Sequence, residues 1–177
     1  MRGGQTLSRD LEPEQVVVSE DGRYVFVNLQ ENNALAILDL NTMRFTSLTG
    51  YGEKDLSLEE NALDTSATDG PGALSTWNGV FAVYQPDVIA VFNHEGEDFI
   101  VTANEGDQKE YSMEDQGIPE WVEFVDGVEL TDRTEGIDPE TVAALADPDQ
   151  LGGLPISTVD GVVGQNEEIG RASCRGR

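Results

Sequence analysis

Six carboxylates sit where a chain reversal would bring hard oxygen ligands together: Glu12, Glu14, Glu31, Asp87, Glu105 and Asp107. Glu31 follows the run YVFVNLQ and Glu105 follows DFIVTAN, so each acid comes directly after a strand-like segment. Oxygens converging from two such turns could hold Ca2+, which takes about 6 to 8 oxygen ligands. The competing reading is structural: Gln30, Asn32, Asn104 and the glutamates hydrogen-bond exposed backbone at strand ends. A second candidate cation loop contains Asp64 and Asp69, but its spacing misses the D-x-[DN]-x-[DN]-G pattern and lacks the closing glutamate. An Asx-rich turn with no metal is the better reading of it.

Other chemistry finds little material. The one histidine, His94, lies in an Asn93-His94-Glu95-Gly96 turn and reads as solvent-facing. No G-x-S-x-G elbow, His/Cys cluster or phosphate-cradling glycine loop occurs, and no catalytic residue is assigned. Trp77 and Trp121 could stack on a sugar, with buried packing as the default for either ring. The 35 acidic and 10 basic residues give a net charge of −25, which disfavours nucleic acid as a partner. No apolar run reaches the length of a membrane span, the first residues lack the apolar core of a signal peptide, and the single cysteine, Cys174, offers no disulfide.

The elements that must position the acids are strands. Residues 15–18, 24–29, 34–39 and 44–48 read as four short strands. Gly22 supplies the positive φ of a tight reversal, Gln30 to Asn33 form a break of turn-prone polar residues, and Asn41-Thr42 form the last turn. A four-stranded meander of this length has the size of one propeller blade. Residues 86–106 repeat its first half with one extra residue in the turn: Pro13 falls on Pro86, Gly22 on Gly96, and Gln30-Glu31-Asn32 on Asn104-Glu105-Gly106. Such self-similarity marks a repeat fold.

The expected fold is therefore all-β, a partial β-propeller of about two antiparallel blades with long irregular insertions and one short helix. The domain spans residues 10–159, with insertions at 49–80 and 108–150. Within the second insertion, residues 121–125 and 128–130 flank Asp126-Gly127 and could form a hairpin, a helical turn being the alternative. Asp138-Pro139-Glu140 opens a short helix with an acid at the N-cap and proline at N1, and Pro148 stops it. Residues 154–159 read as a further strand. The segment 168–177 crowds three arginines into its last seven positions of an acidic chain and reads as a non-native tail resembling translated adapter DNA. A complete propeller needs roughly twice this length, so the chain is expected to be part of a larger one.

The motifs Asp10-Leu11-Glu12-Pro13-Glu14, Leu29-Gln30-Glu31-Asn32-Asn33-Ala34, Tyr84-Gln85-Pro86-Asp87 and Thr102-Ala103-Asn104-Glu105-Gly106-Asp107 resemble those of the choice-of-anchor I family. The resemblance covers residues 10 to about 110 and fits less well at 151–158. It implies a bacterial surface or secreted β-propeller of about seven blades, distantly like YVTN-repeat proteins. It further implies an extracellular or cell-surface location, the periplasm being the other compartment, and an unidentified surface ligand or protein as partner. Some relatives carry alkaline-phosphatase-like labels, so the alternative to a binding or scaffold module is a Ca2+-dependent phosphoesterase, alkaline-phosphatase- or phytase-like, using an acidic channel.

Overall fold

The structure is a computed structural model that describes residues 10–66, 72–107, 109–113, 118–130, 137–158 and 171–173. Thirteen strands follow in chain order: β1 Gln15–Val18, β2 Tyr24–Leu29, β3 Ala34–Asp39, β4 Arg44–Gly50, β5 Glu53–Asp55, β6 Phe81–Val83, β7 Pro86–His94, β8 Glu97–Asn104, β9 Glu110–Met113, β10 Ile118–Val122, β11 Phe124–Asp126, β12 Pro155–Ser157 and β13 Arg171–Ser173. Among the described residues the helix α1 (Pro139–Leu145) lies between β11 and β12. The described chain is mostly β, and its sheets do not close into a barrel. It divides into two compact units, one from Met1–Gly52 and Tyr84–Asp107, the other from Glu53–Val83 and Gln108–Cys174.

In the first unit β1 to β4 form an antiparallel meander in sequence order. The reversals show why these residues turn. At the first, Gly22 takes φ 70, and the buried Ser19 hydroxyl accepts from the amides of Arg23 (3.1 Å) and Tyr24 (2.8 Å), so the turn carries its own polar satisfaction. Asp39 closes the third reversal by accepting from the amides of Asn41 (2.8 Å) and Thr42 (3.1 Å), with Arg23 3.7 Å from its other oxygen. The second sheet of this unit is the hairpin β7–β8, closed by Glu95 (φ 54) and Gly96 (φ 88). Positive φ at both central residues is the I′ geometry whose twist matches the flanking strands.

The hairpin packs on β1 and β2. Gln15 accepts from the Ile89 amide through its side-chain oxygen, and the Asn28 amide donates to the Pro86 carbonyl. Ile89 and Pro86 are buried there, whereas the opposite face of the hairpin is open. The other face of the meander gathers Leu29, Ala34 and Ala36 into a small core with Leu11 and Val27 against it.

The second unit has its own core of Leu56, Val80, Ala82, Leu130, Ala144, Leu145, Leu151 and Ile156, with Trp77 among the residues packed on it. Its main sheet runs β11-β12-β13-β6-β5, β13 being parallel to β6, and β9 pairs with β10 separately. Helix α1 starts as its sequence requires. Asp138 accepts from the amides of Glu140 (3.0 Å) and Thr141 (3.1 Å) and from the Thr141 hydroxyl (2.7 Å), which lowers the Asp138 pKa below the ordinary carboxylate value. The hairpin expected around Asp126-Gly127 does not form: β11 pairs with β12, thirty residues on, and Gly127–Glu129 is a 3-10 turn. The reason lies at Gly127, where a Cβ would stand 2.6 Å from the Leu151 carbonyl oxygen. The chain there is pressed against the segment that leads into β12 instead of folding back on itself.

Candidate functional site

The four quoted motifs meet in the first unit, and asparagines tie them together. Asn32 accepts from the Glu12 amide (3.0 Å) and donates to the Asp10 carbonyl (3.0 Å), so the turn after β2 holds the segment before β1. Asn33, at φ 48, accepts from the amides of Tyr84 (3.2 Å) and Gln85 (3.0 Å) and donates to the Gly52 carbonyl (2.7 Å). Asparagine suits this position because it is the side chain that best tolerates left-handed backbone while offering both a donor and an acceptor. Gln85, buried and at φ 37, passes the connection on, its carbonyl accepting from the amides of Glu105 (3.3 Å) and Gly106 (3.2 Å). The Gln30 amide then donates to the Glu105 carboxylate at 3.0 Å.

Beneath this knot lies Asn28, fully buried, whose amide reaches the Pro86 carbonyl while its oxygen accepts from the Tyr51 hydroxyl at 2.9 Å. Burial pushes the Tyr51 pKa up to about 12, so the phenol stays a donor throughout the physiological range.

The knot gathers carboxylates at its edge. Glu31 is half-buried, and one of its oxygens is buried with no hydrogen-bond partner. Burial first, and then the like charges of Glu12, Glu14 and Asp107, raise its pKa above the ordinary value. Of the six expected acids, Glu31 thus feels Glu12, Glu14 and Asp107, Glu105 is bonded by Gln30, the residue before Glu31, and Asp87 is exposed on β7 apart from these contacts. Among the described residues no group of three or more His, Cys, Asp or Glu side chains is arranged to hold a metal ion.

The second expected loop is described only in part. Asp64 is exposed and accepts from the Gly72 amide at 3.1 Å, while Asp69 lies outside the described residues. His94 stands at the tip of the β7–β8 hairpin, edge-on to Phe99, eight residues along the strand from Pro86 and so roughly 25 Å from the acidic turns. Trp77 packs against the second unit's core with its indole nitrogen buried, and the Trp121 side chain lies outside the described ones. Asn28, Asn33, Gln85 and Tyr51 carry the knot without having been marked as candidates; the one sequence signal for them is that Asn33 and Gln85 stand inside the quoted motifs.

Glu31 yields a test of this electrostatic picture. A carboxyl whose pKa is higher in the folded than in the unfolded chain costs stability while ionised, above its folded pKa, and the cost disappears as acidification protonates it. Glu31→Gln therefore stabilises the protein at neutral pH and loses this advantage in acid. For a half-exposed group the gain is below about 1 kcal/mol, a rise in Tm of up to about 2–4 °C. Melting curves of the two proteins across a pH series read it directly.

A mostly β chain with its polar motifs knotted at the strand ends is the class of protein that these features define. The family profile of the choice-of-anchor I domain matches residues 1–176, and the chain belongs to that family. No curated protein and no solved structure gives a significant match. No helix among the described residues is long and apolar enough to cross a membrane.

Proposed function

We propose that the protein is an extracellular or cell-surface binding or scaffold module, built as part of a β-propeller, that uses the acidic knot as structure and as surface without turning over a substrate. One observation carries the reading: the motifs typical of the family spend their polar atoms on one another. Asn32, Asn33, Gln85 and Gln30 each bond another motif, so these residues lock strand ends together. Two further features support blades. The meander and the hairpin pack together within one unit, β7 lying against β1 and β2, and each leaves apolar side chains on its outer side, Phe45 and Leu48 on one and Phe92 and Val101 on the other, as blades awaiting neighbours do.

The second reading, Ca2+-dependent phosphoester hydrolysis, is favoured by the unpartnered Glu31 oxygen beside Glu12, Glu14 and Asp107. Calcium there would supply charge neutralisation and polarise a phosphate, provided the carboxylates rearranged around it. Calorimetric Ca2+ titration paired with a phosphomonoester assay separates the two. The module reading expects no turnover with or without Ca2+; turnover lost in Glu31→Gln or Glu105→Gln would establish the enzyme.

A further inference from the structure

We propose that the outer edge of β8 is a docking site for an extended polypeptide segment, apolar in its centre and basic at its C-terminal end, which adds to the hairpin as an antiparallel strand. The proposal rests on the binding-module reading and names a partner class for it.

The register fixes which groups the edge offers. His94 pairs with Glu97 across the two-residue turn, Phe92 with Phe99 and Ala90 with Val101. In an antiparallel ladder these closing and alternate pairs exchange the hydrogen bonds, so the amides and carbonyls of Asp98, Ile100 and Thr102 point away from β7. The Ile89 amide, by the same alternation, points away from β8, where Gln15 takes it. The sheet contains β7 and β8 alone, and no described strand lies beyond β8. Beside this open ladder the outer face carries Phe92, Phe99 and Val101, 49%, 42% and 55% exposed, with the two phenyl rings stacked at 5.5 Å.

The first sheet shows what such an edge takes. There β2, the counterpart of β8, is covered by β3, an antiparallel strand of sequence ALAILD. At the start of β2 stands Arg23, and the strand that covers it ends in Asp39, 3.7 Å from the guanidinium. At the start of β8 stand Glu97 and Asp98 instead. Charge complementarity therefore inverts: the covering strand ends in Lys or Arg. A second copy of this chain is opposed by its net charge of −25 and, antiparallel, by the lack of any basic residue in β8. Main-chain bonds along the edge supply affinity and the terminal cation supplies direction, as in strand addition generally.

The test uses the capped peptide Thr-Val-Ile-Val-Thr-Lys and the whole protein. Binding shifts the NMR amide signals of Asp98, Ile100 and Thr102 and slows their exchange, and it weakens severalfold when the lysine is replaced by glutamate. Thr102→Pro removes an outward donor from an edge strand, a place where proline is tolerated, and lowers affinity at least tenfold with melting unchanged. Should that variant fold poorly, a peptide N-methylated on its β8-facing amides loses binding to the unaltered protein to the same degree. Binding indifferent to Thr102→Pro and to N-methylation, no binding at all, or concentration-dependent self-association through this edge would each overturn the proposal. None of these outcomes touches the hydrolysis assay, on which the module reading stands or falls.

Discussion

Asn28→Ala is expected to destabilise the protein by about 2–4 kcal/mol, since it strands a buried carbonyl and a half-buried phenol at once. The side chain is 0% exposed and is bonded both to the Pro86 carbonyl and to the Tyr51 hydroxyl. Removing it leaves the buried carbonyl without its partner, at about 1–3 kcal/mol, and the half-buried phenol without its acceptor, at the lower end of that range because water reaches it more easily. Tyr51→Phe removes just one of the bonds and leaves the Asn28 oxygen wanting, so its cost is about half as large. Denaturant unfolding of the two variants checks both the size and the order, and equal effects would mean that Asn28 does not join the meander to the hairpin.

Leu151→Ala is expected to cost about 2–5 kcal/mol, because it opens a cavity in the core of the second unit. Leu151 is 0% exposed and packs with Leu56, Leu145 and Ile156. Its own backbone is fixed, the amide donating to the Ala144 carbonyl at 3.1 Å and the carbonyl lying against Gly127, so the surroundings collapse poorly into the space left behind. Leu151→Met keeps the volume and is expected to cost below about 1.5 kcal/mol. By contrast Phe45→Ala, at a side chain 66% exposed, changes stability by no more than about 0.5 kcal/mol. Thermal melts order the three, at about 2–4 °C per kcal/mol for a chain of this size.

Much of the first unit was legible because its signals are local. Gly22, Asn33 and Gly96 all take positive φ at the expected reversals, and the alternating runs between them became β1 to β3, β7 and β8, with β4 continuing two residues further than expected. The helix was equally legible, since Asp138 and Pro139 announce it within one turn. In the rest of the second unit only the strand read at 154–159 appears, as the shorter β12. The strands β5, β6 and β11 are three residues each, too short to show a period, and the pairings run across long separations, Glu53 with Val83 and Phe124 with Ser157. Stretches that read as irregular insertions therefore share a sheet and a core through contacts that no local pattern encodes.

The acidic site divides in the same way. Glu31 and Glu105 stood out because the repeat places both directly after a strand, and the structure bonds Glu105 to Gln30, the residue before Glu31, and to the Gln85 carbonyl. Asn33 and Asn28 were missed because their partners, Tyr84, Gln85 and Pro86, lie more than fifty residues away. An amide side chain has no signature of its own in sequence: whether it lines a turn or bridges two sheets depends on what the fold brings within 3 Å of it.

The proposed module depends on the two hairpins, Gln15–Leu29 and Pro86–Asn104, being packed together. Amide hydrogen exchange at Ile89 tests that most directly, because its N–H points away from β8 and its acceptor is the Gln15 side chain. Slow exchange at Ile89, lost selectively in Gln15→Ala while Phe92 and Phe99 keep their protection, is the result this packing predicts. Fast exchange at Ile89 in the unaltered protein, with β7–β8 otherwise protected, would contradict it.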